Sequence, residues 1–133
     1  MIYYLKIYFV ALFFFLAVDL IWLTLIARTF YQKHIGYIMA PSPNWYAAII
    51  FYLLFIVGLV VFVLVPGLEA ASLKVILMRA ALFGLITYAT YDLTNLATIK
   101  DWPLIVTVVD IAWGMSLSLL VSVPTYLIGR LIS

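Results

Sequence analysis

Apolar runs long enough to cross a bilayer alternate with short polar breaks along this chain, and that pattern predicts four helices. Windows of about 20 apolar residues mark spans at about 3–27, 45–66, 75–99 and 103–128. The second ends at Pro66-Gly67, a stop signal for a helix, and the fourth begins at Pro103, a favoured first-turn residue. Between the first two lies a 17-residue polar segment, Arg28 to Asn44, in which Ala40-Pro41-Ser42-Pro43-Asn44 excludes regular helix. This segment is expected to lie along the interface. Tyrosines 3, 4, 31, 37 and 126 and tryptophans 45 and 102 fall near span ends, as an aromatic belt does.

The fold class that follows is all-α: a polytopic integral membrane protein with four transmembrane helices in one bundle, residues 1–133 forming a single domain. Composition agrees, with 69% hydrophobic and only 9% charged residues where soluble domains carry about 25%. Lys6 ahead of an apolar run resembles the front of a secretory signal. The run continues through Asp19 and Trp22 without a small-x-small cleavage pattern, so it reads as a retained helix.

Four spans put both termini on one side. Lys6, Lys74, Arg79 and Arg130 lie on that side and Arg28, Lys33 and Lys100 on the other, a slight balance for cytoplasmic termini in a cell (inner) membrane. A net charge of +2 without a Lys/Arg run gives nucleic acid no surface. The absence of cysteine excludes thiolate chemistry and Cys-ligated metal, and one histidine excludes multi-His sites within a protomer. No cofactor motif is evident.

Three aspartates interrupt the apolar spans. A carboxylate at membrane depth costs roughly 2.5–3.5 kcal/mol on insertion scales, so an intramembrane acid reads first as a functional group facing the bundle interior. Asp19 lies eight residues before Ala27, Asp92 eight before Lys100, and Asp110 seven after Pro103. Counted from the span ends, all three fall about 10–12 Å below the non-terminal face, in one layer.

Helical spacing adds neighbours. Tyr88, Asp92 and Asn95 share a face of span three with Gly84; Thr107, Asp110, Trp113 and Gly114 form a stripe on span four; Phe15, Asp19, Trp22 and Leu23 do so on span one. Tyr88, Asn95 and Thr107 are placed to hydrogen-bond the carboxyls, and Trp22 and Trp113 to shield them from lipid. Span two, with no acid, reads as peripheral support. Three like charges together require either a bound cation, for which Asp19, Asp92 and Asp110 would be the metal ligands if there is one, or protonation of some of the acids. The plainer account of each acid alone is that it ties helices together by hydrogen bonds. His34 reads as solvated, Arg28 as snorkelling to the interface, and Glu69 with Arg79 as an interfacial ion pair.

One pattern occurs twice. Val18-Asp19-Leu20-Ile21-Trp22 and Val109-Asp110-Ile111-Ala112-Trp113 are both V-D-x-x-W. Inverted repeats build transport sites, although five residues are more readily explained by chance or convergent packing.

The stretch Tyr88-Ala-Thr-Tyr91-Asp92-Leu-Thr-Asn95-Leu-Ala-Thr98, then Asp101-Trp102-Pro103 and Asp110-Ile-Ala-Trp113-Gly114, resembles a family of small, mainly bacterial, predicted membrane proteins catalogued as a domain of unknown function. Asp19-Leu-Ile-Trp22-Leu and Phe51-Tyr52-Leu-Leu with Gly58 fit the same family. The resemblance implies a four-helix integral membrane protein and brings no activity with it. From the residues themselves, the first functional expectation is a proton- or cation-coupled carrier working as a homo-oligomer on a small cationic or lipid-like ligand. The alternatives are a membrane-embedded enzyme acting on a lipid or isoprenoid, and an accessory subunit of a membrane complex.

Overall fold

The computed structural model describes residues 1–133, and all four spans are helical. Helix α1 runs Ile2–Ile38, α2 Trp45–Ala70, α3 Leu73–Thr98 and α4 Leu104–Ile132, each long and apolar enough to cross a membrane.

Two of these differ from the expected bounds. Helix α1 does not stop at Ala27. A π-turn at Leu23–Ala27 leads into an α-helical stretch, Arg28–Ile35, and a closing 3-10 turn, Gly36–Ile38. Arg28, Gln32 and Lys33 end the hydropathy window without ending the helix, because polar straight-chain residues are good helix formers. The interfacial loop therefore shrinks to the proline-containing stretch before Asn44, whose side chain caps α2 by accepting from the Ala47 N–H at 3.2 Å.

Helix α2 in turn continues through Pro66-Gly67. Proline has no N–H to offer the carbonyl four residues back, here that of Phe62, and the Arg79 guanidinium donates to that carbonyl at 3.1 Å. Arg79 is thus turned to Phe62 rather than to Glu69. The helix ends three residues later, with Ala71 in the left-handed region (φ 49°) and Ser72 capping α3 through the Val75 N–H.

Helices α3 and α4 form the tightest pair. A Cβ added at Gly84 would lie 2.3 Å from the Gly114 carbonyl oxygen and one at Gly114 2.3 Å from the Tyr88 ring, so only glycine permits this approach. The buried core, Ile7, Ala11, Ile56, Leu59, Leu64, Ile76, Leu117 and Val121 among others, fills the half of the bundle near the termini. Tyr3 closes that end by donating to the Gly129 carbonyl at 2.8 Å. Helix α2 contributes Phe55, Ile56, Leu59, Val60, Val63 and Leu64 to this core, so it is an integral wall and not a peripheral one.

Candidate functional site

The other half of the bundle is not filled. Helix α2 meets α3 where Phe55 and Phe62 pack on Phe83; nearer its start, Ala48, Phe51 and Tyr52 face a cavity instead. The cavity has a volume of about 600 Å³ and is walled by all four helices, twelve of its fifteen lining residues being hydrophobic. Its mouth carries Leu23, Met39, Phe51 and Tyr91, all exposed.

Asp19 and Asp110 lie on its wall, together with Trp22, Trp113 and Tyr88. The two indoles stack face to face, ring centroids 4.2 Å apart and planes 8° apart. Asp92 stands behind the wall, with no exposed surface, and its carboxyl meets that of Asp110. No donor of the protein reaches either Asp92 oxygen. Asp110 accepts a hydrogen bond from the Tyr31 hydroxyl, which the helical extension of α1 carries over the cavity. Asp19 is 9% exposed and has no ion-pair partner; the Tyr52 hydroxyl is the polar group that approaches it.

Helix pairing sets the levels of the three acids. Thr107 donates to the Asp92 main-chain carbonyl at 3.3 Å, so Asp92 lies opposite Thr107. That is three residues, about 5 Å, from the level of Asp110 toward the non-terminal side. Helices α1 and α4 are antiparallel, and each aspartate precedes its stacked tryptophan by three residues. Asp19 and Asp110 therefore fall on opposite sides of the indole pair, about 9 Å apart along the axis. The acids form a ladder and not a single layer. The count from span ends went astray at α1, whose helix continues eleven residues past Ala27 to Ile38. In keeping with this, no three His, Cys, Asp or Glu side chains gather closely enough to hold one metal ion.

The remaining candidates divide. Tyr88 lines the cavity among all three carboxyls. Thr107 is buried, but its hydroxyl serves the Asp92 main chain and accepts from the Trp102 indole N–H at 3.1 Å, not a carboxyl. Asn95 is half-buried and off the cavity. His34 packs on Phe30, shares a contact with its carbonyl and does not line the cavity. Tyr31, Tyr52 and Tyr91 were not singled out as site residues by sequence reasoning. Tyr91 and Tyr52 carried a signal, Tyr91 beside Asp92 in the family-like stretch and Tyr52 in the element Phe51-Tyr52-Leu-Leu that fits the same family.

A four-helix bundle of this hydropathy, with acids and tyrosines turned inward to a cavity, defines a small polytopic α-helical membrane protein. The chain belongs to the family described as "Predicted membrane protein (DUF2177)", whose model matches residues 4–127. Neither the curated proteins nor the solved structures give a match.

Proposed function

We propose that the protein is a proton-linked carrier that takes a hydrophobic solute from the bilayer into the cavity beside Asp19 and Asp110. The observation that carries this reading is the Asp92 carboxyl, fully buried, without a donor on either oxygen, and facing Asp110. Two ionised carboxylates side by side in a hydrocarbon-walled site would be strongly unfavourable. One proton shared between them removes the repulsion and gives Asp92 its hydrogen bond. A proton held next to a ligand cavity is what coupled carriers use, because the ligand's arrival and the proton's departure then compete.

The apolar mouth suits entry from the acyl region, and the packed core on the terminal side makes this a state open to one side. Release to the other side then needs rearrangement of the helices, which a twofold homo-oligomer would accommodate at its interface. For a cell (inner) membrane, the Lys/Arg balance slightly favours cytoplasmic termini.

The test is a pH gradient across proteoliposomes, read by an enclosed pH dye and challenged in turn with hydrophobic cations, uncharged amphiphiles and hydrophobic anions. At least one class should dissipate the gradient through the wild type and not through Asp92→Asn. A gradient untouched by every class would remove the carrier reading.

A second reading draws on the same pair. A carboxyl that keeps its proton beside an apolar cavity is also what a general acid needs for a lipid or isoprenoid substrate. Turnover of membrane lipids by purified protein, followed by mass spectrometry, would put that reading first.

A further inference from the structure

We infer that the solute is a hydrophobic cation, a compact ammonium group on an apolar body, held between Asp19 and Asp110. This rests on the cavity being a ligand site, as proposed above, and adds the chemical class of what fills it.

The cavity wall carries two carboxyls and no Lys, Arg or His. Arg28, the basic residue nearest in sequence to Asp19, is not part of the wall. Asp19 has a polar neighbour in Tyr52 but no countercharge, although it is more than nine-tenths buried and turned to the cavity. A buried carboxylate is retained at low cost only when a cation or donors compensate it. A cationic ligand in the cavity would supply the missing charge.

The rest of the wall agrees. Trp22, Trp113, Tyr31, Tyr52, Tyr88 and Tyr91 surround the space between the acids, and aromatic walls attract ammonium ions through the ring quadrupole, most strongly when water is excluded. An anion would meet two carboxyls and no cation. A sugar-like solute would find tyrosine hydroxyls and little else to bond. The separation of Asp19 and Asp110, about 9 Å along the axis, suits one cation lying between them against the indole pair. A volume of about 600 Å³ leaves room for an apolar body as well as the head.

The experiment compares two probes of one shape, benzyltrimethylammonium and its uncharged carbon isostere neopentylbenzene. Both are titrated into the full chain in phosphatidylcholine nanodiscs, with empty nanodiscs as reference and tryptophan fluorescence as the signal. The quaternary ion should bind saturably and about tenfold or more tighter than the isostere. Asp19→Asn should bring the two within about threefold of each other by weakening the cation alone. Equal or tighter binding of the isostere to wild type overturns the inference, whether or not the Asp19 variant folds, and leaves a carrier of uncharged solutes standing. Unchanged cation preference in both Asp19→Asn and Asp110→Asn also overturns it. Binding of neither probe overturns the cation assignment, while the proton-flux assay judges the carrier reading separately.

Discussion

Trp22 and Trp113 lie face to face at 4.2 Å, and each is the last residue of a V-D-x-x-W pattern. The two patterns sit on antiparallel helices, so stacking their tryptophans throws their aspartates to opposite sides, one turn below and one turn above the indoles. An echo that looked like coincidence thus has a geometric consequence. It makes a cavity wall with an acid at each end and aromatic surface between.

Two indoles so close and so nearly parallel couple their electronic transitions. The wild type should show an exciton couplet in ultraviolet circular dichroism, and both Trp22→Phe and Trp113→Phe should lose it entirely. Each change leaves a Trp–Phe pair and should lower stability, beyond the area lost, by less than a whole aromatic pair's worth of about 0.5–1.5 kcal/mol. A couplet surviving either substitution would mean that the stack is not formed.

Gly84→Ala should destabilise the bundle by about 1–3 kcal/mol, measured by unfolding in mixed micelles. The new methyl would press on the Gly114 main chain, which cannot step aside as a side chain would. Because α3 carries Asp92 and α4 Asp110, parting these helices should also loosen the carboxyl pair. A neutral Gly84→Ala would contradict the close α3–α4 contact.

Arg79 tests the continuity of α2. Arg79→Met should cost about 1 kcal/mol in wild type, the net worth of a hydrogen bond. In a Pro66→Ala background the cost should shrink, since residue 66 then has an N–H for the Phe62 carbonyl. Equal costs in both backgrounds would show that Arg79 does not serve that carbonyl.

Ligand and proton should compete. In weakly buffered nanodiscs at neutral pH, saturating benzyltrimethylammonium should release about one proton per protein, read by a soluble indicator. Asp92→Asn should release none, because an amide beside Asp110 supplies an N–H without holding an exchangeable charge. Cation binding without proton release would separate the cavity from the carboxyl pair.

The hydropathy pattern made the four helices and their order legible, and the cost of an intramembrane acid led directly to Asp19, Asp92 and Asp110. Helical spacing also put Phe15, Trp22 and Leu23 beside Asp19 on what proves to be one wall. What it missed follows from local causes. A hydropathy window closes at Arg28 although the backbone stays helical to Ile38, which hid Tyr31 in an expected loop and set the depth of Asp19 wrongly. Tyr52 was passed over because its helix holds no acid, yet it approaches Asp19 from across the cavity. Thr107 was given to a carboxyl because spacing along one helix does not say which atom of the next helix lies opposite; that atom is the Asp92 carbonyl oxygen.

The central claim is the proton shared by Asp92 and Asp110, and the infrared carbonyl region reads it most directly. At neutral pH the wild type should display a protonated-carboxyl band that disappears in Asp92→Asn, shifts in Asp110→Asn, where the buried Asp92 keeps the proton without its partner, and persists unshifted in Asp19→Asn. A wild-type spectrum holding only ionised carboxylate bands, or a protonated band that survives loss of both paired aspartates, would contradict the account.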